Sequence, residues 1–174
     1  HRSLRRQRQM CIRDRITRSR LLELCDLQRP LLRKLSSEAP GTFEHTLMIC
    51  GLAEEGVRAI GGDVDLVRTG ALYHDVGKLH APQWFIENQQ GGENPHDHLD
   101  DPWRSAEILQ AHVDEGIKMA RRYGLPQPVA DYIPEHQGTL RMGYFWHRAR
   151  EQTQMPATDP SATAGPSRNP RKVP

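Results

Sequence analysis

The chain has 174 residues, of which 36% are hydrophobic and 26% charged, and its formal net charge is +2. A chain of this length can form a single domain that buries roughly two thirds of its unfolded surface. No stretch approaches the roughly 20 apolar residues that cross a bilayer, so the sequence predicts no membrane span.

The positive net charge comes from the ends of the chain. Residues 1–20 hold eight Arg and one Asp, whereas residues 21–151 hold 13 Lys and Arg against 20 Asp and Glu, a balance near −7. A nucleic-acid footprint requires a basic face on the folded part of a protein. The composition therefore predicts no nucleic-acid partner, with a basic RNA-binding arm as the alternative for the N-terminal segment.

Neither end of the chain has the pattern of a folded element. Residues 1–15 lack apolar periodicity and match, codon by codon, a translated sequencing adapter, so we interpret them as a non-native segment. Residues 152–174 are rich in Pro, Ser, Thr, Ala and Arg, which predicts a disordered or aberrant tail. Between the ends we predict lead-in helices at residues 16–37 and the main domain at residues 38–151.

Helices are predicted from the start of this folded part. Two short amphipathic helices lie within residues 21–35 and are broken at Pro30, a residue that is tolerated at a first helical position. The first long helix is predicted to follow Pro40, with Thr42 as its N-cap, and to end at Ile60 before two glycines.

The next predicted helix begins near Asp63 and carries its apolar stripe to His74 and Asp75, where Gly77 lets the chain turn. The polar stretch at residues 88–101 predicts a loop. A loop of this length in a compact domain is more often functional than idle, for example as a lid.

Asp101 as a cap and Pro102 in the first turn predict a long helix to Tyr123, which is stopped by a glycine. Another helix is predicted to follow, with a kink at Pro134. A last aromatic helical piece is predicted at residues 144–150. The sequence therefore predicts an all-α domain.

Four histidines are predicted to face inward from these helices: His45, His74, His112 and His136. A single histidine on an apolar helical face is more often a hydrogen-bonded core residue than a metal ligand. Four of them beside the carboxylate of Asp75 favour a shared metal, because several unpaired buried imidazoles would be costly to desolvate.

Neutral imidazole and carboxylate are ligands for a borderline divalent metal, which can generate hydroxide at neutral pH. A two-metal arrangement would use Asp75 as the bridging and catalytic carboxylate. His45 and His74 would hold one metal, and His112 and His136 the other. The predicted reaction is in-line attack of metal-bound hydroxide on a phosphorus atom.

Lys78 is the second predicted catalytic residue. It follows Asp75 by three positions and is placed to reach a phosphate as a point charge. The alternative is a solvated lysine after the end of a helix. Cys11, Cys25 and Cys50 lack any zinc-ribbon spacing and are predicted to be buried structural thiols of a reducing compartment, without a catalytic role.

These residues carry a resemblance to a known family. His45, the stretch His74-Asp75-Val76-Gly77-Lys78, His112 and His136 resemble the HD-domain phosphohydrolases. Within that superfamily the chain is most similar to the intracellular domain of the seven-transmembrane-receptor HD proteins, which are cyclic di-AMP phosphodiesterases of bacteria. The similarity covers roughly residues 21–151 and is carried by residues 38–48, 70–75, 85–89, 94–97 and 135–139.

The resemblance implies an all-α HD-domain helical bundle with a di-iron or di-manganese site, whose ligands would be His45, His74, Asp75, His112 and His136. It implies a phosphodiesterase that hydrolyses cyclic di-AMP. It also implies a domain on the cytoplasmic side of a membrane, in a parent protein anchored by transmembrane helices outside this sequence.

The sequence departs from the family in its C-terminal part. The family's last metal-ligand aspartate lies on a further helix well beyond the position of His136, and Asp159 in the tail has no helical pattern around it. We therefore expect an incomplete domain that lacks its C-terminal helices. Made alone, it is expected to be marginally stable and poorly active.

Two alternatives to a cyclic di-AMP phosphodiesterase stay open. One keeps the HD fold with another nucleotide or phosphoester substrate, although cyclic di-GMP is disfavoured because residues 136–138 lack the signature of that branch. The other is a non-catalytic regulatory module that binds a nucleotide.

Four aromatic residues are expected either to stack on a base or to belong to the core: Trp84, Phe85, Tyr144 and Trp146. The remaining histidines of the main domain are expected to be exposed: His80, His96, His98 and His147. Of these, His96 and His98 are expected to lie within reach of a substrate.

Overall fold

The computed structural model describes residues 16–89, 91–138 and 142–153, and within them all regular secondary structure is helical. The predicted adapter segment, most of the predicted tail and Asp159 lie outside the described residues. Nine α-helices occur in the described part: α1 Arg18–Leu24, α2 Pro30–Glu38, α3 Pro40–Ala59, α4 Val64–Tyr73, α5 Pro95–Leu99, α6 Pro102–Arg122, α7 Gln127–Ala130, α8 Tyr132–Glu135 and α9 Gly143–Thr153. Three short 3-10 helices lie between α4 and α5, at Val76–His80, Pro82–Trp84 and Ile86–Asn88.

The two lead-in helices are part of the domain core. Pro30 is the first residue of α2, as predicted, where its missing N–H costs nothing. The core includes five buried leucines of α1 and α2, which are no more than 2% exposed: Leu21, Leu24, Leu31, Leu32 and Leu35. The hydroxyl of Tyr73 in α4 donates a hydrogen bond of 2.8 Å to the carbonyl of Leu24. The lead-in segment and the main domain therefore fold around one core.

Helix α3 begins earlier than predicted. Its first residue is Pro40 and its N-cap is Ala39, so Thr42 lies inside the helix and the prediction of Thr42 as the N-cap is wrong. Proline suits a first helical position because that N–H would lack an intrahelical partner in any case. The buried hydroxyl of Thr42 donates instead to the carboxylate of Glu87, at 3.1 Å. The other end matches the prediction, because α3 ends at Ala59 and Gly61 follows with φ of +71°.

Helix α4 leads the chain directly to the predicted centre. The side chain of Asp63 caps α4 by accepting a 3.0 Å hydrogen bond from the N–H of Leu66. After α4 ends, the 3-10 helix Val76–His80 packs against α6. A Cβ on Gly77 would lie 1.7 Å from the carbonyl oxygen of His112. Glycine at this position therefore allows the backbone after Asp75 to touch α6.

The polar stretch predicted to be a loop contains a helix. Asn94 caps α5 by accepting a 3.1 Å hydrogen bond from the N–H of His96, and a proline stands at the first helical position. Arg148 of α9 forms ion pairs with Asp97 at 3.2 Å and with Asp100 at 2.8 Å. The segment is thus folded and fastened to α9, and the prediction of an extended loop was wrong for residues 95–99.

The later helices follow the predicted signals with one difference. Asp101 caps α6, which runs from Pro102 to Arg122. The predicted kinked helix after it is two separate four-residue helices, α7 and α8. Pro134 explains the interruption, because it has no N–H to donate to the carbonyl of Ala130 and its ring crowds that carbonyl. In the described part of the chain no helix has the length and apolar character needed to cross a membrane.

Candidate metal centre

The structure brings all five predicted metal ligands together. The helix α3 supplies His45, the end of α4 supplies His74 and Asp75, α6 supplies His112, and His136 follows α8. The possible ligand atoms form two overlapping groups, each within 4.8 Å: His45, His74 and Asp75 in one, and Asp75, His112 and His136 in the other. Asp75 is the residue that the two groups share.

Three of the histidines are oriented by their own helical backbone. Each has its Nδ1 within hydrogen-bond distance of a carbonyl three or four residues earlier, which assigns the proton of a neutral ring to Nδ1. These pairs are His74 with Ala71 at 2.7 Å, His112 with Leu109, and His136 with Tyr132 at 3.2 Å. The Nε2 atoms therefore carry the lone pairs, which is the form of imidazole that binds a metal.

These Nε2 atoms converge on the carboxylate of Asp75. The Nε2 of His74 lies 3.1 Å from Asp75 Oδ2, and those of His136 and His112 lie 3.3 and 3.8 Å from Asp75 Oδ1. The Nε2 atoms of His112 and His136 are 3.3 Å apart. Lone pairs that face each other and a carboxylate repel, unless a cation lies between them or a ring takes a second proton.

The buried polar atoms indicate which groups fit this centre. Asp75 is 3% exposed, and its Oδ1 has no hydrogen-bond partner among the described residues. A buried carboxylate oxygen without a partner is costly, and a divalent cation would satisfy it together with the imidazoles. Nitrogen and carboxylate donors of this kind suit several metals, including iron, manganese, zinc and nickel. The residues present therefore fit a divalent metal centre.

The pKa shifts follow the same geometry. Burial would raise the pKa of Asp75, but hydrogen bonds that the rings of His136 and His74 donate when they take a second proton, together with the charge of Lys78, hold it well below its usual range. Burial lowers the pKa of His112 and favours its neutral form. Burial also acts to lower the pKa of His74, but the neighbouring Asp75 outweighs it and raises that pKa. Asp75 is thus an anion at neutral pH.

Lys78 lies inside the centre and is not a solvated lysine. Its side chain is 14% exposed, and its Nζ lies 2.9 Å from Asp75 Oδ2 and 2.7 Å from Glu87 Oε1. The ring of Phe85 covers it, with 5.1 Å between Nζ and the ring centroid. Burial acts to lower the Lys78 pKa, but the two carboxylates outweigh it and raise the pKa. Lys78 thus keeps its positive charge beside the metal ligands.

The residues that hold Lys78 had no predicted role. Glu87 accepts hydrogen bonds from Lys78 and from the hydroxyl of Thr42, and that hydroxyl accepts a 2.8 Å bond from Asn88 Nδ2. Asn88 Oδ1 also accepts the N–H of Thr42, at 3.0 Å. This network ties the start of α3 to the segment before α5. The signals that could have indicated the network are an acid next to the apolar residues 84–86 and the family resemblance of residues 38–48 and 85–89.

The other predicted features have mixed outcomes. His98 and His147 are exposed and His80 is half-buried, whereas His96 is buried and its prediction as an exposed residue is wrong. Phe85 belongs to the interior and its ring centroid lies 5.8 Å from that of His112, whereas Tyr144 is exposed. Burial raises the pKa of the Cys50 thiol to about 11, so this cysteine stays protonated, as expected for a structural thiol.

An all-helical domain that gathers four imidazoles around one buried carboxylate is a metal-binding domain of the phosphohydrolase type. Residues 42–163 match the model of the HD domain. The chain belongs to the HD-domain family, whose members are metal-dependent phosphohydrolases. The predicted family and the predicted all-α fold are confirmed.

Known relatives of the chain include proteins of two bacteria, Synechocystis sp. and Bacillus subtilis. An uncharacterized protein of Synechocystis sp. is 52% identical over 147 residues, covering 84% of this chain and 18% of that protein. The cyclic-di-AMP phosphodiesterase PgpH of Bacillus subtilis is 43% identical, covering 76% of this chain and 19% of the relative. The chain thus spans about a fifth of the length of these relatives.

A solved structure shares the fold. The HD domain of the phosphodiesterase PgpH of Listeria monocytogenes, in complex with cyclic-di-AMP, superposes with a TM-score of 0.70 at 39% sequence identity. The alignment covers 75% of this chain and 60% of that chain. The helical arrangement that builds the centre is therefore shared with an HD domain that binds a cyclic dinucleotide.

Proposed function

We propose that this domain hydrolyses a phosphodiester bond of a cyclic dinucleotide, and that its substrate is cyclic di-AMP. The similarity to PgpH proteins of two bacteria supports the substrate class. The observation that carries the reaction type is the position of Asp75, one buried carboxylate shared by two groups of histidines. A shared carboxylate of this kind is the usual bridge of a two-metal phosphoester hydrolase.

We further propose that the centre holds two divalent metals, manganese or iron. His45, His74 and Asp75 would hold one, and Asp75, His112 and His136 the other. Bound metals of this kind activate water at neutral pH and neutralise charge on phosphoryl oxygens. Each group contributes three protein ligands, which leaves positions open for water and substrate.

The chain's own residues prepare this chemistry. Asp75 remains ionised because the positive charges beside it, that of Lys78 among them, lower its pKa. The backbone carbonyls behind His74 and His112 fix their tautomers, so their Nε2 atoms need no reorientation. Lys78 supplies a fixed positive charge 2.9 Å from Asp75, which suits a catalytic role in binding the substrate phosphate. Phe85 excludes water from one side of the centre.

We also propose that the domain works in the cytoplasm as part of a longer, membrane-anchored parent protein. The resemblance to the intracellular domain of membrane-anchored HD proteins supports this placement, and the chain spans about a fifth of the length of its relatives. The test of this placement is fractionation of cells that express the parent protein with an epitope at this domain. Protease protection of the epitope in right-side-out membrane vesicles is expected.

The reaction is tested with purified chain, Mn²⁺ and cyclic di-AMP. Hydrolysis of one phosphodiester bond leaves a linear dinucleotide with a terminal phosphate, which chromatography separates from the cyclic substrate. Asp75→Asn keeps the size of the side chain and removes its charge, and we expect at least about a hundredfold loss of product. A protein that binds cyclic di-AMP and forms no linear product would be a regulatory module instead.

The number of metals is tested by elemental analysis. We expect at most two metals per chain, less metal in His45→Ala and in His112→Ala than in the wild-type chain, and none in Asp75→Ala, because each histidine serves one group and the aspartate serves both. His147→Ala is the matched control, since His147 is exposed and lies outside both groups. Equal metal content in the His45, His112 and His147 variants would overturn the assignment.

A further inference from the structure

A second carboxylate lies beside the metal centre and does not belong to its ligands. Glu87 is in neither group of possible metal ligands, yet its Oε1 lies 2.7 Å from Lys78 Nζ. We propose that Glu87 is a positioning residue, which holds the Lys78 ammonium group in place for a phosphate oxygen of the substrate. The inference rests on the proposed function and extends it to a residue outside the set of metal ligands.

Lys78 has one donor more than its two carboxylate partners use. An ammonium group carries three N–H donors. One carboxylate partner is Asp75 Oδ2, which lies 2.9 Å from Nζ, and the other is Glu87 Oε1. The remaining donor is the one that a phosphate oxygen at the centre can accept.

Asp75 alone would not hold Lys78 once its carboxylate served a metal. A carboxylate that coordinates a divalent cation has less negative charge to offer an ammonium group, and the cation itself repels that group. Glu87 does not face this competition, because it lies outside both groups of ligands. It is therefore the carboxylate that can keep Lys78 next to a positively charged centre.

The side chain of Glu87 is in turn held by the start of α3. Its Oε1 accepts a 3.1 Å hydrogen bond from the hydroxyl of Thr42, which is fully buried. That hydroxyl accepts a bond from Asn88 Nδ2 at 2.8 Å, which leaves its single proton for Glu87. A Cβ on Gly41 would overlap the carbonyl group of Glu87, so glycine lets the two backbones touch. The start of α3 thus limits the positions that the Glu87 carboxylate can take.

The first experiment is a double-mutant cycle of turnover, with the Mn²⁺-loaded chain and cyclic di-AMP. Glu87→Gln keeps the size of the side chain and removes its charge, and we expect kcat/KM to fall about tenfold at unchanged metal content. Lys78→Ala is expected to lose about tenfold or more. Adding Glu87→Gln to it should cause no further loss, because Glu87 acts through Lys78. Glu115→Gln is the matched control, since it breaks an ion pair with the exposed Lys118 on α6, and it should leave kcat/KM unchanged.

The second experiment observes the ammonium group by NMR of chain labelled with ¹⁵N-lysine. The chain has four lysines, of which Lys34 and Lys118 are exposed. A buried, hydrogen-bonded ammonium group exchanges its protons more slowly than an exposed one, so we expect one slowly exchanging resonance that is absent in Lys78→Ala. The wild-type chain should keep it when loaded with Zn²⁺, a diamagnetic ion that suits the same ligands. In Glu87→Gln it should persist without metal, where Asp75 still holds Lys78, and disappear when Zn²⁺ is added.

The outcomes separate the two proposals. A wild-type chain without turnover would overturn the proposed function together with this inference. Turnover in which the double variant loses the product of the two single losses would overturn the inference alone. The same holds for a Glu87→Gln resonance that survives Zn²⁺ or is missing already without it.

A second pair of variants keeps the test open if Glu87→Gln does not fold by circular dichroism. Thr42→Val removes the hydroxyl that holds Glu87 and must lower kcat/KM, whereas Thr42→Ser keeps a hydroxyl and must retain the wild-type value. Wild-type turnover in a folded Thr42→Val, or equal losses in both variants, would overturn the inference.

Discussion

Gly77→Ala tests whether the close approach of two backbones builds the metal centre. The added Cβ would lie 1.7 Å from the carbonyl oxygen of His112 and 2.6 Å from the nitrogen of Gly116. Both contacts are backbone atoms of α6, so no side chain can rotate to make room. The segment that carries Asp75 must therefore move away from the helix that carries His112.

The size of this movement follows from the contact. Real Cβ atoms essentially never approach other atoms closer than 3.0 Å, so the two segments must separate by at least about 1.3 Å. Overpacking of this kind typically costs 1–3 kcal/mol of unfolding free energy. It also displaces one group of metal ligands by more than the roughly 0.5 Å that a functional site tolerates. We expect a loss of stability of about 2–3 kcal/mol and a loss of metal.

The assays are urea unfolding followed by circular dichroism and elemental analysis of the purified variant. Gly56→Ala is the matched control, because Gly56 lies in α3 and a Cβ there meets no described atom within 4 Å. It is expected to gain about 0.5–1 kcal/mol, as alanine does in an exposed helix. If Gly77→Ala unfolds at the wild-type urea concentration and keeps its metal, the backbone contact does not position the centre.

Three further variants test the packing around the centre by urea unfolding. Tyr73→Phe leaves the buried carbonyl of Leu24 without its donor. It is expected to lower the unfolding free energy by about 1 kcal/mol without loss of metal. An unchanged unfolding free energy would mean that water replaces the hydroxyl. Burial acts to raise the Glu87 pKa, but Lys78 outweighs it and lowers the pKa below its ordinary value of 4.5. The ion pair between Lys78 and Glu87 therefore stabilises the fold above pH 4.5, and this stabilisation is lost as pH falls through the folded-state pKa of Glu87. Glu87→Gln should weaken the dependence of the unfolding free energy on pH below 4.5. An unchanged dependence on pH would contradict this prediction. Asp101→Ala removes the N-cap of α6 and is expected to cost about 0.5–2 kcal/mol, and wild-type stability would show that the cap is dispensable.

Local sequence signals predicted the helices well where capping chemistry is decisive. Asp63 and Asp101 accept N–H groups at the starts of α4 and α6, and Gly61 and Gly124 adopt the positive φ that ends a helix. Each of these signals acts within four residues, so a linear pattern contains it. The inward positions of His74 and His112 were predicted for the same reason, since helical spacing fixes the face on which a residue lies, whereas His45 is half-buried and His136 is exposed.

Contacts between distant parts of the chain were not predictable in this way. Thr42 was assigned to a cap because its hydroxyl suits one, but its partner is Glu87, 45 residues later. His96 was expected to be exposed because its neighbours are polar, whereas the packing of Trp84 and Phe145 buries it. In both cases tertiary packing determined the environment, and no local pattern records which segments meet. Asn94 followed by proline was a usable helix signal for α5 that the polar composition obscured.

The centre owes its form to backbone constraints more than to loop conformation. His74 and His112 are each oriented by a carbonyl of their own helix, and Gly77 allows the segment after Asp75 to contact α6 directly. Constraints of this kind are already satisfied in the folded chain, so binding a metal requires little further ordering. What the folded chain leaves unsatisfied is the negative charge of Asp75, whose Oδ1 has no hydrogen-bond partner among the described residues, and the Nε2 lone pair of His136 that faces it. The free energy of metal binding is therefore expected to come from relieving that electrostatic repulsion, and not from closing a mobile segment over the metal.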